Sequence, residues 1–288
     1  MAVKFFGQFL VEQGIVTGEA LLNAITLQDK TNLKIGEMAV SMGLITPTDV
    51  QRAHNAQMSK DKKLGDLLVE MEFLSPDQLE DIIIRQKNTH LYIGEALVQV
   101  GSLTKESLQT HLDAFKADQA RYISDSIELP ITIADAKTWE MTADLTYKMI
   151  TRVLGLQFRP GKCTVAPSVA SNFMLAAMDF SGDVHARYLI SVSEGLQQTI
   201  AKAILGEESV DTEPVEVLED TVMEFVNVVC GNVAAKASQM GVIINIAPPE
   251  TIHPPAEGLP VSDDQTALCF PIYVGNEEVM EMYLLIRS

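Results

Sequence analysis

The stretch Asp220-Thr221-Val222-Met223-Glu224-Phe225-Val226-Asn227-Val228-Val229-Cys230-Gly231-Asn232 decides how the second half of this chain reads. Wound as an α-helix at 100° per residue, it separates two faces. Leu218, Val222, Phe225, Val229 and Val233 fall within about 80° of one another and form a stripe for burial. Asp220, Glu224, Asn227 and Gly231 fall within about 60° on the opposite side. A solvated face ordinarily mixes both signs of charge, yet no Lys or Arg occurs between Asp220 and Gly231. A mid-helix glycine costs about 1 kcal/mol against alanine, which points to a close approach from outside. Glu224 and Asn227, three apart in the chain, project side by side. A carboxylate so placed can grip a cation while the carboxamide orients a water. That pairing suits hydrolysis of an acyl phosphate carried by a partner protein whose own metal neutralises the phosphoryl oxygens.

Working outward, the helix is predicted over 214–240 and is followed by a strand at 242–247 and a proline-rich loop. Before it, apolar β-rich runs at 173–180 and 184–192 flank Ser181-Gly182-Asp183, read as a hairpin turn. A helix at 193–205 ends at Gly206, and an earlier one through Leu145, Met149 and Val153 stops at Gly155. A last hairpin joins 267–274 to 279–286 through Gly275-Asn276. Helices mixed with hairpins predict an α+β domain with an antiparallel sheet.

The beginning of the chain, up to Phe115, follows a different rule. Gly7, Gly36, Gly65 and Gly94 recur with a period of 29, and Gly14, Gly43, Glu72 and Gly101 keep the same step, as do Gln28, Gln57, Gln86 and Phe115. Such a period signals stacked helical repeats, here four units of two short helices each. Ser75-Pro76 and Thr46-Pro47 supply caps and first-turn prolines for the second helices. The organisation expected is an all-α helical repeat domain at 1–118, a linker at 119–137 and the α+β domain at 138–288.

Of the 288 residues, 47% are apolar and 21% charged, the balance of a folded chain. No apolar run approaches a membrane span, and no signal peptide is visible, so the expected location is cytoplasmic. Residues 1–121 carry 12 Lys/Arg against 16 Asp/Glu, net −4, whereas 122–288 carry 9 against 23, net −14. Without clustered cations to displace counterions, nucleic-acid binding is excluded. Cys163, Cys230 and Cys269 are too scattered for a disulfide framework and read as buried hydrophobes. His90, His111, His185 and His253 read as isolated. No metal site or serine triad is discerned.

Phe180-Ser181-Gly182-Asp183, Ala203-Ile204-Leu205-Gly206-Glu207-Glu208 and the 224–232 stretch together resemble the chemotaxis phosphatase CheX, of the CheC/CheX/FliY group, over about 138–288. The resemblance implies a protein-aspartyl-phosphate phosphatase acting on a phosphorylated CheY-like response regulator, with Asn227 positioning the attacking water and Glu224 pairing with a lysine of the regulator. It also implies that Asp220 opens the motif and borders the docking face with Gly231, that Mg2+ sits on the regulator with no cofactor in this chain, and that the protein pairs as a homodimer. Pro249 lies about where the family has a downstream proline.

The repeat unit, Gly-x-x-Leu-Val-x-x-Gly-x-Leu-Thr with a closing Gln, resembles the N-terminal helical domain of type II secretion and type IV pilus assembly ATPases. Some of those bind cyclic di-GMP through an Arg-Leu-Gly opening. The matching positions here are Phe5, Lys34, Lys63 and Tyr92, so only Lys34 and Lys63 bring charge, without the planar fork of arginine. Two alternatives to the phosphatase stand beside it: a non-catalytic adaptor that binds the regulator, and a cyclic di-GMP-responsive signalling protein.

Overall fold

The computed structural model describes residues 5–58, 60–119, 127–170, 172–255, 257–275 and 278–287. The chain forms two compact units, Met1–Tyr122 and Ile123–Ser288. Most of the first half of the expected linker, 120–126, lies outside the described residues.

In the first unit the helices are α1 (Phe6–Glu12), α2 (Gly18–Thr31), α3 (Ile35–Ser41), α4 (Pro47–Met58), α5 (Leu64–Glu70), α6 (Pro76–Thr89), α7 (Ile93–Gln99) and α8 (Lys105–Gln119). The short helices begin in step with the glycine period, at Phe6, Ile35, Leu64 and Ile93, as do the long ones at Gly18, Pro47, Pro76 and Lys105. Helix starts follow from side chains that satisfy otherwise unpaired N–H groups. The Ala20 amide donates to Thr17 Oγ1 at 3.1 Å, and the Gln78 amide to Ser75 Oγ at 3.2 Å.

The periodic glycine has a packing cause. A Cβ at Gly7, Gly36, Gly65 or Gly94 would lie 2.5–2.7 Å from the side chain of Leu21, Val50, Leu79 or Leu108. Each apolar residue follows its glycine at a constant offset and presses on the bare helix backbone.

The pairing of the units departs from a simple stack of sequence neighbours. One core joins the first and fourth, with Phe6, Phe9, Leu10 and Ala24 against Leu91, Leu97 and Phe115. A second joins the middle two, with Met38, Ile45 and Ala53 against Leu67, Leu68, Leu74 and Ile82. The closing glutamines tie each pair reciprocally. Gln57 Nε2 donates to the Lys62 carbonyl at 3.0 Å and Gln86 Nε2 to the Leu33 carbonyl at 2.9 Å. Gln28 Nε2 donates to the Leu91 carbonyl at 3.0 Å, and in the return position Phe115 packs on Phe6 and Phe9 with ring centroids 5.4 Å away.

Gly14, Gly43 and Gly101 end their short helices at φ 67°, 69° and 77°, and Glu72 takes the same role at φ 61°. A side chain in this left-handed region is strained by roughly 1–2 kcal/mol. Part of that returns as the greater freedom of an unfolded glycine. Glu72→Gly is therefore expected to stabilise the first unit by about 0.5–1 kcal/mol, read as a higher urea midpoint at unchanged slope.

In the second unit come α9 (Ala136–Arg152), β1 (Phe158–Pro160), β2 (Thr164–Ala166), β3 (Ser168–Val169), β4 (Met174–Gly182), β5 (Ala186–Val192), α10 (Glu194–Leu205), α11 (Val215–Gln239), β6 (Ile244–Ile246), β7 (Glu250–Ile252), β8 (Leu259–Pro260), β9 (Gln265–Val274) and β10 (Val279–Arg287). The main sheet runs β1-β9-β10-β5-β4-β6, all antiparallel, with β2 also on β9 and β7 also on β4. Along β4, Leu175 and Ala177 face a core shared with Leu189, Ala267, Tyr283 and the small β3–β8 layer. The alternate residues Met174, Ala176, Met178 and Phe180 belong to the opposite face, where Gln197 Nε2 of α10 lies 3.1 Å from Met174 Sδ. Over Met174–Met178 both faces are covered, and that part of the strand reads as an unbroken apolar run. On the helical side the Thr146 and Tyr188 hydroxyls pair at 3.1 Å.

The hairpin expected at Ser181-Gly182-Asp183 is displaced. Ser181 and Gly182 continue β4 and pair with Asn245 and Ile244 of β6. Gly182 is required there because a Cβ would lie 2.5 Å from the Ile243 carbonyl oxygen. Asp183 then accepts from the Ile243 amide at 2.8 Å. Asn276 of the last expected turn lies outside the described residues. Among the described residues no helix is long and apolar enough to cross a membrane.

Candidate functional site

Helix α11 is anchored on three sides, and that is what fixes its fourth. It packs against α9, α10, β4 and β6. Its buried residues include Thr221, Val222, Phe225, Val226, Val228, Val229, Cys230, Asn232 and Val233, covering about 200° of the helix circumference. This arc is wider than the apolar stripe read from sequence, since α9, α10, β4 and β6 all pack against the helix. Two polar groups inside the arc bond within the helix. Asn232 Nδ2 donates to the Val228 carbonyl at 2.8 Å, and Thr221 Oγ1 to the Leu218 carbonyl at 2.6 Å.

The remaining arc carries the candidate site. Asp220, Glu224 and Asn227 are exposed and Gly231 is half-exposed, so all four fall on the one uncovered strip. Asn227 Nδ2 lies 3.5 Å from Glu224 Oε2, which sets the carboxamide and carboxylate edge to edge. A Cβ at Gly231 would meet nothing within 4 Å. No neighbour inside this chain therefore demands glycine at that position. Between Lys202 and Lys236 the sequence has no Lys or Arg, so the strip offers acceptors and negative charge to whatever approaches it. Exposed donors and acceptors on a rigid helix can pair with a cation and hold a water at fixed distance.

One contact of α11 is not legible in the sequence. His253 Nε2 stands 3.1 Å from Glu219 Oε1, whereas the sequence reads His253 as isolated. The two are distant in the chain, with β6 and the Pro248-Pro249 segment between them. No helical or strand period links them.

The cysteine reading needs one correction. Cys230 and Cys269 are buried, but Cys163 is only half-buried. Burial still pushes the Cys163 and Cys269 thiols up to about 12, leaving both protonated and unreactive near neutral pH.

Lys34 and Lys63 are the residues immediately preceding α3 and α5, and both are exposed. Phe5 and Tyr92 hold the same station before α1 and α7. The helix starts are met from within: the Lys34 and Tyr92 amides donate to Glu37 and Glu95 carboxylates at 2.7 and 3.0 Å. Among the described residues no group of three or more His, Cys, Asp or Glu is placed to hold a metal ion.

With this geometry in view, residues 174–273, which contain α11 whole, match the family model for chemotaxis phosphatase CheX. Among solved structures the chain is similar to the chemotaxis protein CheX from Desulfovibrio desulfuricans, at 20% identity and a TM-score of 0.46, covering 52% of this chain and 99% of that one. It is similar also to a chain of the CheX–CheY–BeF3–Mg2+ complex from Borrelia burgdorferi, at 19% identity and 0.46, covering 52% and 98%. FliY from Thermotoga maritima aligns at 15% identity and 0.41, covering 55% and 93%. No curated protein sequence matches the chain.

Proposed function

We propose that the CheX-matching segment, residues 174–273, removes the aspartyl phosphate from a CheY-like response regulator docked on α11. The observation that carries this reading is the exposed pair Glu224 and Asn227, set side by side on the uncovered strip of a helix packed against its domain on the other sides. Asn227 accepts a hydrogen bond from a water and holds it in line with the phosphorus. Water oxygen bonds to phosphorus as the acyl oxygen leaves, giving inorganic phosphate and the regulator's free carboxylate. Glu224 pairs with a lysine of the regulator and sets the depth of insertion, while Asp220 and Gly231 border the contact. Mg2+ held by the regulator neutralises the phosphoryl oxygens. This chain's part is to position the water and dock, which is an entropic and electrostatic contribution.

The test is to mix the protein with a regulator charged by a small phosphodonor in Mg2+ and follow phosphate release. Acceleration over the regulator's own decay supports the phosphatase. Binding without acceleration, across several regulators, replaces it with an adaptor.

Gly231 gives an independent check because stability and docking should move in opposite directions. Gly231→Ala is expected to stabilise the second unit by about 1 kcal/mol, since the added methyl meets open space within the chain. For a domain of this size that raises its melting temperature by roughly 2–4 °C. The same methyl should raise KM for the phosphorylated regulator. A gain in both stability and affinity would remove Gly231 from the docking face.

A further inference from the structure

A second site lies on the sheet face turned away from the helices, where its cover runs out. The core of that face, Leu175, Ala177, Leu189, Ala267 and Tyr283, is capped by Val169, Leu259 and Val261. Beyond the cap the register continues with polar residues. Asp179 pairs with Arg187, Arg187 with Leu285, and Arg287 with Gln265, and the Arg287 amide donates to the His185 carbonyl at 3.2 Å. Cross-strand partners share a face. These residues accordingly line one cavity of about 250 Å3, with Leu285 at its floor. A second cavity of about 340 Å3, reaching Trp139, adjoins it through His185 and Arg287.

The donors here are only partly paired within the chain. An Arg187 terminal nitrogen pairs with Glu250, while its buried Nε stands 3.7 Å from Asp179 Oδ1, too far for a hydrogen bond, and has no other partner. Among the described residues the Arg287 guanidinium, the His185 ring and the Gln265 carboxamide also have no partner. Arg187 and Arg287 are two of only nine Lys/Arg in residues 122–288. His185 and Arg287 are exposed, so what the cavity offers is a pair of scarce cations, one with a buried and unbonded Nε, gathered in an otherwise acidic unit where they raise the local positive potential.

We propose that this cavity binds a small oxyanion, the phosphate or carboxylate group of a small ligand, with Arg287 as its main ligand and His185 and Gln265 as supporting donors. A guanidinium fork matches two oxygens of such a group with paired, charge-assisted hydrogen bonds. The proposal does not depend on the activity assigned to α11.

The experiment titrates the full-length protein with inorganic phosphate, and separately with acetate, at ionic strength matched with sodium chloride, following the arginine Nε–Hε and histidine ring resonances. A saturable shift of the Arg287 and Arg187 signals is expected, and the ion that produces it identifies phosphate or carboxylate as the source. In Arg287→Gln the apparent affinity should fall at least about tenfold. In Lys202→Gln, at an exposed cation on α10, it should not change. If chloride alone reproduces the shifts, the ions act by screening and the site is withdrawn. An unchanged affinity in Arg287→Gln, or no saturable shift with either ion, overturns it equally.

Discussion

Asn227→Ala is expected to slow regulator dephosphorylation about 100-fold while leaving regulator binding intact. The loss is that large because the proposed contribution is position: a water displaced by an ångström from its line of attack forfeits most of the gain from being held at all. Binding should survive because Glu224 and the rest of the strip remain. The fold should survive too, since Asn227 is exposed and gives up only a 3.5 Å hydrogen bond to Glu224 among the described residues, and alanine favours helix over asparagine. Phosphate release under saturating phosphorylated regulator isolates the chemical step. Binding to a regulator locked in its active form by beryllofluoride isolates docking. Unaltered turnover at saturation would take the water-positioning role from Asn227.

The candidate strip was readable in the sequence because it lies on one element, and the helical period places Asp220, Glu224, Asn227 and Gly231 together without tertiary information. The α+β class, the long helix and the central strands β4, β5, β9 and β10 were readable for the same reason: each is long enough to carry a pattern. The strands β1, β2, β3, β7 and β8 have two or three residues, too few for any period to show. The Glu219–His253 pair and the oxyanion cavity are assembled from register across distant strands and loops. Gly182 misled for a physical reason, because glycine serves both tight turns and close approach, and here it admits β6 rather than turning the chain. In the repeats, the fixed step of the glycines located the helices. Which unit pairs with which was written only in Phe115 replacing a glutamine and packing on Phe6 and Phe9.

Glu224→Lys should act on docking where Asn227→Ala acts on chemistry. Opposing a lysine of the regulator with a lysine exchanges an attraction for a repulsion in a contact that loses its water on binding. A cost of about 2 kcal/mol corresponds to a roughly 30-fold rise in the dissociation constant and in KM. Glutamate and lysine have similar helix propensities, and position 224 is exposed, so the melting temperature should not move. The expected kinetic signature is a raised KM with turnover at saturation largely kept, opposite to that of Asn227→Ala. Salt supplies a second axis: screening should weaken binding of the wild type and narrow its gap to the variant. The decisive arm exchanges the regulator's lysine for glutamate, which should impair the wild type and restore the Glu224→Lys protein. Rescue places Glu224 opposite that lysine across the interface. If the swapped pair stays as weak as either single change, Glu224 meets some other group, and the regulator sits on α11 in a different orientation from the one proposed.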